Sequence, residues 1–226
     1  MQKYHGTPLT PRAQLMTMKG RNFCVSYFEP RDADVCLQIG QSVMWDNGAF
    51  SVKTRGLEFD RDGFYSWVEP KLAHPHWAVV PDVIDGTVDE QRAMVKTWPF
   101  RKSLGLPVWH LGLPIDYLLE LCDQWERVCF GSTAQYWDIG SAAWCRRMDE
   151  AFNALARTFG AQLPWVHGLR MLGQSSGPWP LASADSVNVA RNFKDYGKCP
   201  DCVAMRIDST NPPLRWNERP LQESFL

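Results

Sequence analysis

The segment HWAVVPDVIDGTVDEQRAMVKTW, residues 76–98, contains one complete strand–loop–helix unit. Its first part, from His76 to Asp82, is a short apolar run that ends in an aspartate, which is typical of a buried strand. Thr87 and Glu90 then form the T-x-x-E pattern of a capping box, which predicts that a helix begins after Thr87. A strand followed at once by an amphipathic helix is the repeating unit of parallel α/β sheets.

The same alternation recurs along the whole chain. Eight apolar runs predict strands, at residues 3–7, 21–28, 42–46, 76–82, 106–112, 127–132, 164–171 and 181–186. Each is followed by a helical pattern or by a connection long enough for a helix, which predicts an α/β fold with a (β/α)₈ TIM-like barrel. An open, doubly wound sheet is the alternative. We expect a compact single domain over residues 1–226, with 199–226 as a Pro-rich C-terminal extension.

Composition, charge and the length of the apolar runs limit the classes of protein to which this chain could belong. The chain is 45% hydrophobic, which is enough for one large core, and its net charge of −1 does not indicate a polybasic nucleic-acid binder. The first residues, MQKYHGTPLTPR, lack the apolar stretch of a signal peptide, and no run reaches the roughly 18 apolar residues of a membrane span. The seven cysteines lie mostly in apolar segments, as reduced thiols do. We therefore expect a cytoplasmic protein with no membrane partner.

Polar residues stand at the C-terminal ends of the predicted strands, where TIM barrels place their active sites. In chain order they are His5, Ser26, Asp46, Asp82, His110, Gly131–Ser132, His167–Gly168 and Asp185. The three aspartates follow apolar runs, and a carboxylate there is costly unless it is hydrogen-bonded or used in chemistry. Each of them could instead cap the next helix. We expect this set of strand ends to line the substrate site.

Asp46 has two interpretations. It lies in SVMWDNGAFSV, residues 42–52, where Asn47-Gly48 between apolar residues is a strong signal for a β-hairpin. In the other interpretation Asn47-Gly48 is a tight exit from a barrel strand, and Asp46 is held at the strand end for proton transfer. Several carboxylates on one rim suit cleavage of an N-glycosidic bond, in which one attacks C1′ and another transfers a proton.

Five motifs resemble, in the same order, those of the tRNA-guanine transglycosylases, which exchange guanine for a 7-deazaguanine. WDNGAFS resembles the family's Asp-Ser-Gly-Gly-Phe motif, and SADSVNVARN resembles its nucleophile segment. VVPDVIDG, VCFGS and VHGLRML stand where the family has its base-recognising aspartate, its glycine-bearing strand and the strand before the nucleophile. The chain is most similar to the short relatives from phages and bacterial modification islands, which insert 7-deazaguanines into DNA.

The resemblance implies a role for each matching residue. Asp185 would be the nucleophile on C1′, and Asp46 the general acid and base beside the leaving guanine. Asp82, or alternatively Asp85, would bind the base. His110 would contact the base, and Gly131 would offer backbone contacts. Arg191 and Asn192 would support the nucleophile loop or bind phosphate.

The resemblance also implies the partners, and here the chain departs from the family. Cys199 and Cys202 are only half of the family's zinc site, so we expect no required cofactor, with zinc as the alternative. The chain also lacks room for an RNA-binding domain, which favours DNA over tRNA and a 7-deazaguanine such as preQ0 as the incoming base. A homodimer or a partner protein would complete the complex, in the host cytoplasm if a phage encodes it.

Other functions remain open on the sequence alone. His74, His76, His110, His167 and Asp185 would suit a metal-dependent barrel hydrolase, although the first two precede their strand. A nucleoside glycosidase or deoxyribosyltransferase would use the same carboxylates, and a non-catalytic nucleic-acid-binding subunit is a third alternative. Basic residues near the C-terminus could contact phosphates or simply be solvated, namely Arg191, Lys194, Lys198, Arg206, Arg215 and Arg219.

Overall fold

The computed structural model describes residues 1–195 and 197–220. Within them nine strands form one sheet: β1 Gln2–Gly6, β2 Asn22–Ser26, β3 Val43–Asp46, β4 Trp77–Val79, β5 Gly105–Leu106, β6 Val108–His110, β7 Arg127–Gly131, β8 Trp165–Gly168 and β9 Ser183–Ser186. Their order is β5-β4-β3-β2-β1-β9-β8-β7-β6, and every neighbouring pair is parallel.

The two ends of this order meet, because β5 and β6 are separated in the chain by Pro107 alone. The first strand pairs on one side with β2 and on the other with β9, where Gln2 lies opposite Ser183. An open sheet does not pair its first strand with its last in this way. The predicted TIM-like barrel is therefore confirmed, with β5 and β6 as two halves of its fifth strand.

Helices follow the strands around the outside of the barrel. In the described part of the chain the α-helices are α1 Ala33–Ile39, α2 Ala49–Thr54, α3 Arg61–Val68, α4 Val88–Lys96, α5 Ile115–Gln124, α6 Ala142–Phe159, α7 Asn188–Asn192 and α8 Pro200–Asp208. Short 3₁₀ helices occupy Arg12–Met18, Glu69–Lys71, Lys102–Leu104, Ala134–Tyr136 and Leu172–Gln174. None of the helices among these residues is long and apolar enough to cross a membrane.

Local signals explain where the longer helices begin and end. Thr87 accepts a hydrogen bond from the backbone N–H of Glu90, and the Glu90 carboxylate accepts one from the N–H of Thr87. This is the predicted capping box, and α4 begins directly after it. Ser141 caps α6 by accepting a hydrogen bond from the backbone N–H of Trp144, and Gly160 follows the last residue of this helix.

Alternate residues of each strand face opposite sides of the barrel wall. The inner side chains pack together inside the barrel: Tyr4, Met44, Trp77, Val79, Leu106, Val108 and Cys129. Their neighbours in sequence, such as Trp45 and Trp109, belong to the larger outer core between the strands and the helices. The last inward-facing residue of each strand therefore lies at the C-terminal rim of the barrel. Whether a strand residue can reach a site at this rim depends on whether it occupies an inward-facing or an outward-facing position.

Residues 199–220 lie against the outside of the barrel. Asp208 in α8 is contacted by His5 Nε2 at 3.1 Å and by Arg21 Nη1 at 2.8 Å. Beyond α8, the indole of Trp216 and the backbone of Arg219 both hydrogen-bond to Asn153 of α6. The predicted Pro-rich extension, 199–226, thus includes a helix, and its described part crosses two faces of the barrel.

Candidate active site

A cavity of about 740 Å³ opens at the C-terminal ends of the strands. This is within the roughly 300–1,000 Å³ that is usual for small-molecule sites. Nine of the residues predicted from the sequence line it: Ser26, Asp46, Asp82, His110, Gly131, Ser132, Asp185, Arg191 and Asn192. The cavity therefore brings together carboxylates from three different parts of the barrel.

Asp46 is the last residue of β3, and its side chain reaches the cavity floor beside Ser26. Burial raises the pKa of Asp46 to about 7, and the negative charges of Asp185 and Asp82 push it in the same direction. Hydrogen bonds from the Ser26 hydroxyl and the Gly48 backbone N–H oppose this rise only in part. Asp46 can consequently be protonated or ionised near neutral pH.

The hairpin interpretation of Asn47-Gly48 is wrong. Strand β3 pairs in parallel with β2 and β4, and Gly48 leads directly into α2. Gly48 has φ +78°, and an added Cβ would lie 3.0 Å from the backbone nitrogen of Phe28 and 3.2 Å from Ser26 Oγ. Only glycine fits both the left-handed conformation and the close approach. The turn therefore serves as the tight exit from the strand.

Asp82 is held by two donors from neighbouring strands. Its Oδ2 accepts a hydrogen bond from His110 Nε2 at 2.8 Å, and its Oδ1 accepts one from Asn47 Nδ2, also at 2.8 Å. Asn47 also donates to the Val80 carbonyl and accepts from the N–H of Ala49, so the amide itself cannot rotate. This network fixes the Asp82 carboxylate on the wall of the cavity.

Asp85, the alternative to Asp82, does not line the cavity. It is exposed in the turn before α4, where its φ of 60° places it in the left-handed region. The sequence could not separate the two aspartates because both follow the same strand within four residues.

Two groups, one backbone and one side chain, orient the carboxylate of Asp185 in β9. The backbone N–H of Arg170 donates to its Oδ1 at 3.0 Å, and Nε2 of His167 lies 3.2 Å from the same oxygen. Because a carboxylate can only accept, Nε2 carries a proton, and Nδ1 of the same ring forms a hydrogen bond with the Ser183 hydroxyl. Asp185 thereby keeps one oxygen engaged and one oxygen for other contacts.

Gly131 leaves space for His110. A Cβ on Gly131 would lie 2.9 Å from His110 Nδ1, closer than real Cβ atoms approach, and 3.1 Å from Val108 Cγ1. The next residue, Ser132, faces the cavity with its backbone, because its hydroxyl accepts a hydrogen bond from the indole N–H of Trp144 on the outer side. Gly131 and Ser132 therefore shape the cavity wall and bring no reactive side chain to it.

Three other predicted site residues lie outside the cavity. His5 points outward to Asp208, since Tyr4 and Gly6 are the residues of β1 that face inward. A Cβ on Gly168 would meet Met171 and Leu181 of the outer core. Predicting contacts for His5 and Gly168 was wrong because a one-residue shift along a strand exchanges the two faces. His167 is fully buried beneath the rim and reaches the site only through Asp185.

Sequence reasoning missed the rim of the cavity. Phe50 of α2 and Trp137 in the β7–α6 loop lie with ring centroids 5.1 Å apart and an interplanar angle of 21°. The Arg170 guanidinium lies 3.7 Å from the centre of Trp137. Trp137 belongs to a connection, where periodicity gives no indication of direction. Phe50 and Arg170 lie inside the WDNGAFS and VHGLRML motifs, and this was the signal that the sequence offered.

The predicted basic residues separate into two groups. Arg191 in α7 is exposed and lines the cavity, and Asn192 beside it hydrogen-bonds to Asn188 at 3.1 Å. The remaining ones do not line the cavity: Lys194, Lys198, Arg206, Arg215 and Arg219. Burial lowers the pKa of Arg170, and the nearby charge of Arg191 lowers it further. Among the described residues, the lysine and arginine side chains that line the cavity are Arg170 and Arg191.

The residues suggested as metal ligands do not fit a metal site. Cys199 and Cys202 are joined in a disulfide, which has no thiolate to bind zinc. His76 accepts a hydrogen bond from the N–H of Val43, at the start of β3 and away from the cavity. Across residues 1–195 and 197–220, no group of three His, Cys, Asp or Glu side chains is placed to hold a metal ion.

The comparisons with protein families and with curated proteins give this cavity no known counterpart. Comparison with the models of known protein families finds no match to this chain, and comparison with the curated proteins finds none either.

Proposed function

We propose that this protein is a DNA-guanine transglycosylase that exchanges guanine in DNA for a 7-deazaguanine such as preQ0. The observation that carries the proposal is that Asp46, Asp82 and Asp185 line one cavity at the C-terminal rim of the barrel. Base exchange with retention of configuration needs a nucleophile, a proton-transfer group and a group that binds the base. The three carboxylates supply one candidate for each role.

In the first half-reaction, Asp185 attacks C1′ of the target nucleotide. Its Oδ1 is engaged by the Arg170 N–H and by His167, so Oδ2 forms the new bond to carbon. The bond between C1′ and the base nitrogen breaks, and its electron pair leaves with guanine. The product is a covalent sugar ester of Asp185, with the DNA strand still intact.

Asp46 transfers the proton in both directions. With a pKa of about 7, a large fraction of Asp46 is protonated at neutral pH and can protonate the leaving base. The resulting carboxylate then removes the proton from the nitrogen of the incoming 7-deazaguanine. That nitrogen attacks C1′, Asp185 leaves as a carboxylate, and the original protonation states are restored.

Asp82 and His110 are the groups for binding the base. Asp82 can accept further hydrogen bonds from the N–H edge of a guanine-like base, since each carboxylate oxygen can accept more than one. A planar base is also the ligand that fits a cavity whose walls carry Gly131 and whose rim is aromatic. The arrangement would bind guanine and a 7-deazaguanine alike, as an exchange reaction requires.

The exposed arginine at the mouth supports a polynucleotide over a free nucleoside. Arg191 lines the opening and takes part in no ion pair among the residues that the structure describes. A nucleoside glycosidase or deoxyribosyltransferase has no use for a cation at that place, whereas a phosphate backbone does. The choice of DNA over tRNA rests on the resemblance of the whole chain to the short DNA-modifying relatives.

Base exchange can be measured directly with the purified protein. Wild-type protein incubated with guanine-containing DNA and labelled preQ0 should transfer label to the DNA, and without preQ0 should give a protein–DNA adduct on a denaturing gel. Asp185→Ala should abolish both signals. Asp85→Ala, which removes an exposed carboxylate outside the cavity, should preserve both and serves as the matched control.

Each alternative predicts a different result in that assay. Equal label with wild type and Asp185→Ala would remove Asp185 as the nucleophile. Label transferred to tRNA but not to DNA would identify a tRNA-guanine transglycosylase, and exchange on free deoxyguanosine alone would identify a nucleoside enzyme. DNA binding with neither adduct nor exchange, even with a cell extract supplying a partner, would support a non-catalytic subunit.

A further inference from the structure

Large apolar side chains are exposed at the mouth of the cavity, where a site for a single small base would not need them. Trp137 keeps 48% of its surface exposed and Val187 keeps 39%, although both border the cavity. Phe50 lies beside Trp137 with its ring within 21° of the same plane. Exposed aromatic surface next to a polar cavity marks a contact with a flat ligand that extends beyond the cavity.

Trp137 is held in a fixed orientation. The Arg170 guanidinium lies 3.7 Å from its ring centre and 5.7 Å from that of Phe50, and Nη2 of Arg170 donates to the Ser132 carbonyl at 2.7 Å. The backbone of the same arginine holds Asp185 at 3.0 Å. Arg170 therefore connects the orientation of Trp137 to the orientation of the carboxylate that attacks C1′.

A ligand seated on Trp137 also lies close to positive charge. Arg191 is exposed at the same mouth, and it is near enough to Arg170 to influence its pKa. An aromatic surface combined with an arginine is the arrangement with which proteins bind single-stranded nucleic acid, through base stacking and phosphate contact. Bases inside a duplex already stack on one another and cannot use such a surface.

We infer that Phe50, Trp137 and Arg170, here called the aromatic rim, bind the nucleotide adjacent to the target guanosine by stacking its base on Trp137. The substrate would accordingly be a single-stranded or locally opened stretch of DNA rather than an intact duplex. This inference rests on the proposed function for the identity of the strand. It adds a second recognition site, for a neighbouring base, outside the cavity that holds the exchanged one.

Equilibrium binding tests the aromatic rim without any base exchange. Fluorescence anisotropy of a labelled DNA 11-mer, with one central guanine between thymines, gives Kd for wild type, Trp137→Ala, Trp137→Phe and Trp216→Ala. Trp137→Ala should weaken binding by about tenfold, the usual effect of losing one stacked base, while Trp137→Phe retains most of the affinity. Trp216 packs on Phe152 away from the cavity, so Trp216→Ala should bind like wild type.

A second oligonucleotide separates stacking from a general loss of structure. Abasic sugars on both sides of the guanine remove the neighbouring bases and keep the phosphates. They should weaken binding by wild type by a similar factor and leave binding by Trp137→Ala unchanged. An equal loss in both proteins, or wild-type affinity in Trp137→Ala with the normal strand, would overturn the inference.

The two proposals can fail separately. Binding that depends on Trp137 and on the flanking bases, but without base exchange, would keep the aromatic rim and remove the transglycosylase. Exchange that proceeds normally while Trp137→Ala binds and reacts like wild type would keep the enzyme and remove the rim. A fully paired duplex that binds more tightly than the single strand would also overturn the inference, and tighter binding of the same sequence as RNA would overturn DNA as its ligand.

Discussion

Nε2 of His167 lies 3.2 Å from Oδ1 of Asp185, and this is the same oxygen that accepts the backbone N–H of Arg170. The two donors come from β8 and from the residues that follow it, while Asp185 belongs to β9. His167 is itself fixed by the Ser183 hydroxyl, two residues before Asp185. The contacts that orient this carboxylate therefore all come from β8, from β9 and from the connection between them.

Removing the imidazole should slow base exchange without weakening base binding. His167→Ala deletes one hydrogen bond to a charged group, worth about 1.5–3 kcal/mol, so we expect kcat to fall roughly ten- to hundredfold at an unchanged KM for preQ0. His167→Gln, whose side-chain amide can still donate, should recover much of the rate. If glutamine is as slow as alanine while both variants melt like wild type, His167 is not a positioning residue for Asp185.

The pKa of Asp46 predicts how guanine release depends on pH. Because the acid form is needed to protonate the leaving base, single-turnover release should decrease as the pH rises through about 7. Ser26→Ala removes a hydrogen bond that stabilises the carboxylate and should move this decrease to higher pH. A profile that is the same in wild type and Ser26→Ala would indicate that another group provides the proton.

The same carboxyl should lower the stability of the protein as the pH rises from acid to neutral. Folded Asp46 keeps its proton up to about pH 7 and unfolded Asp46 only up to about 3.8, so stability falls as the pH rises between these values. Asp46→Asn avoids this cost, and its free energy of unfolding at pH 8 should exceed that of wild type by at most roughly 4 kcal/mol. Urea unfolding at pH 4 should show almost no difference, and Asp85→Asn should show none at either pH.

Adding one methyl group at Gly131 should disturb base binding. A Cβ there would lie 2.9 Å from His110 Nδ1, so Gly131→Ala forces the imidazole away from Asp82. We expect KM for preQ0 to rise about tenfold, the cost of one charged hydrogen bond, with a smaller effect on kcat. Gly173→Ala is the control, since a Cβ at that cavity glycine meets no atom within 4 Å. Equal kinetics in wild type and Gly131→Ala would show that His110 does not depend on this space.

The sequence predicted the barrel because its signals are local. Apolar runs and the capping box at Thr87 each involve residues within a few positions of one another, and the structure shows a strand in each of the eight predicted stretches. Alternation alone left two arrangements open, a barrel and a doubly wound sheet, and the pairing of β1 with β9 decides for the barrel.

The site was predictable only as far as the strands themselves extend. Asp46 and Asp185 reach the cavity because they have the parity of the inward-facing residues near the ends of β3 and β9. Asp82 reaches it from the connection that follows β4. His5 was assigned to the site although Tyr4 is the inward residue, because the short first strand gives no alternation from which to choose a face. Trp137 and Arg170 lie in connections, and their contact depends on how two separate loops fold back over the barrel.

Pro107 divides the fifth strand into β5 and β6, and this division affects ligand binding. The residues before it pair with β4, ending at the bond from Val80 N–H to the Leu106 carbonyl, and those after it pair with β7. Above that point, among the residues that the structure describes, β4 and β6 are held together by the Asp82–His110 side-chain bond in place of a backbone ladder. A base that draws Asp82 away from His110 would also loosen the barrel wall at this place, so ligand entry and local opening of the wall become one coupled equilibrium.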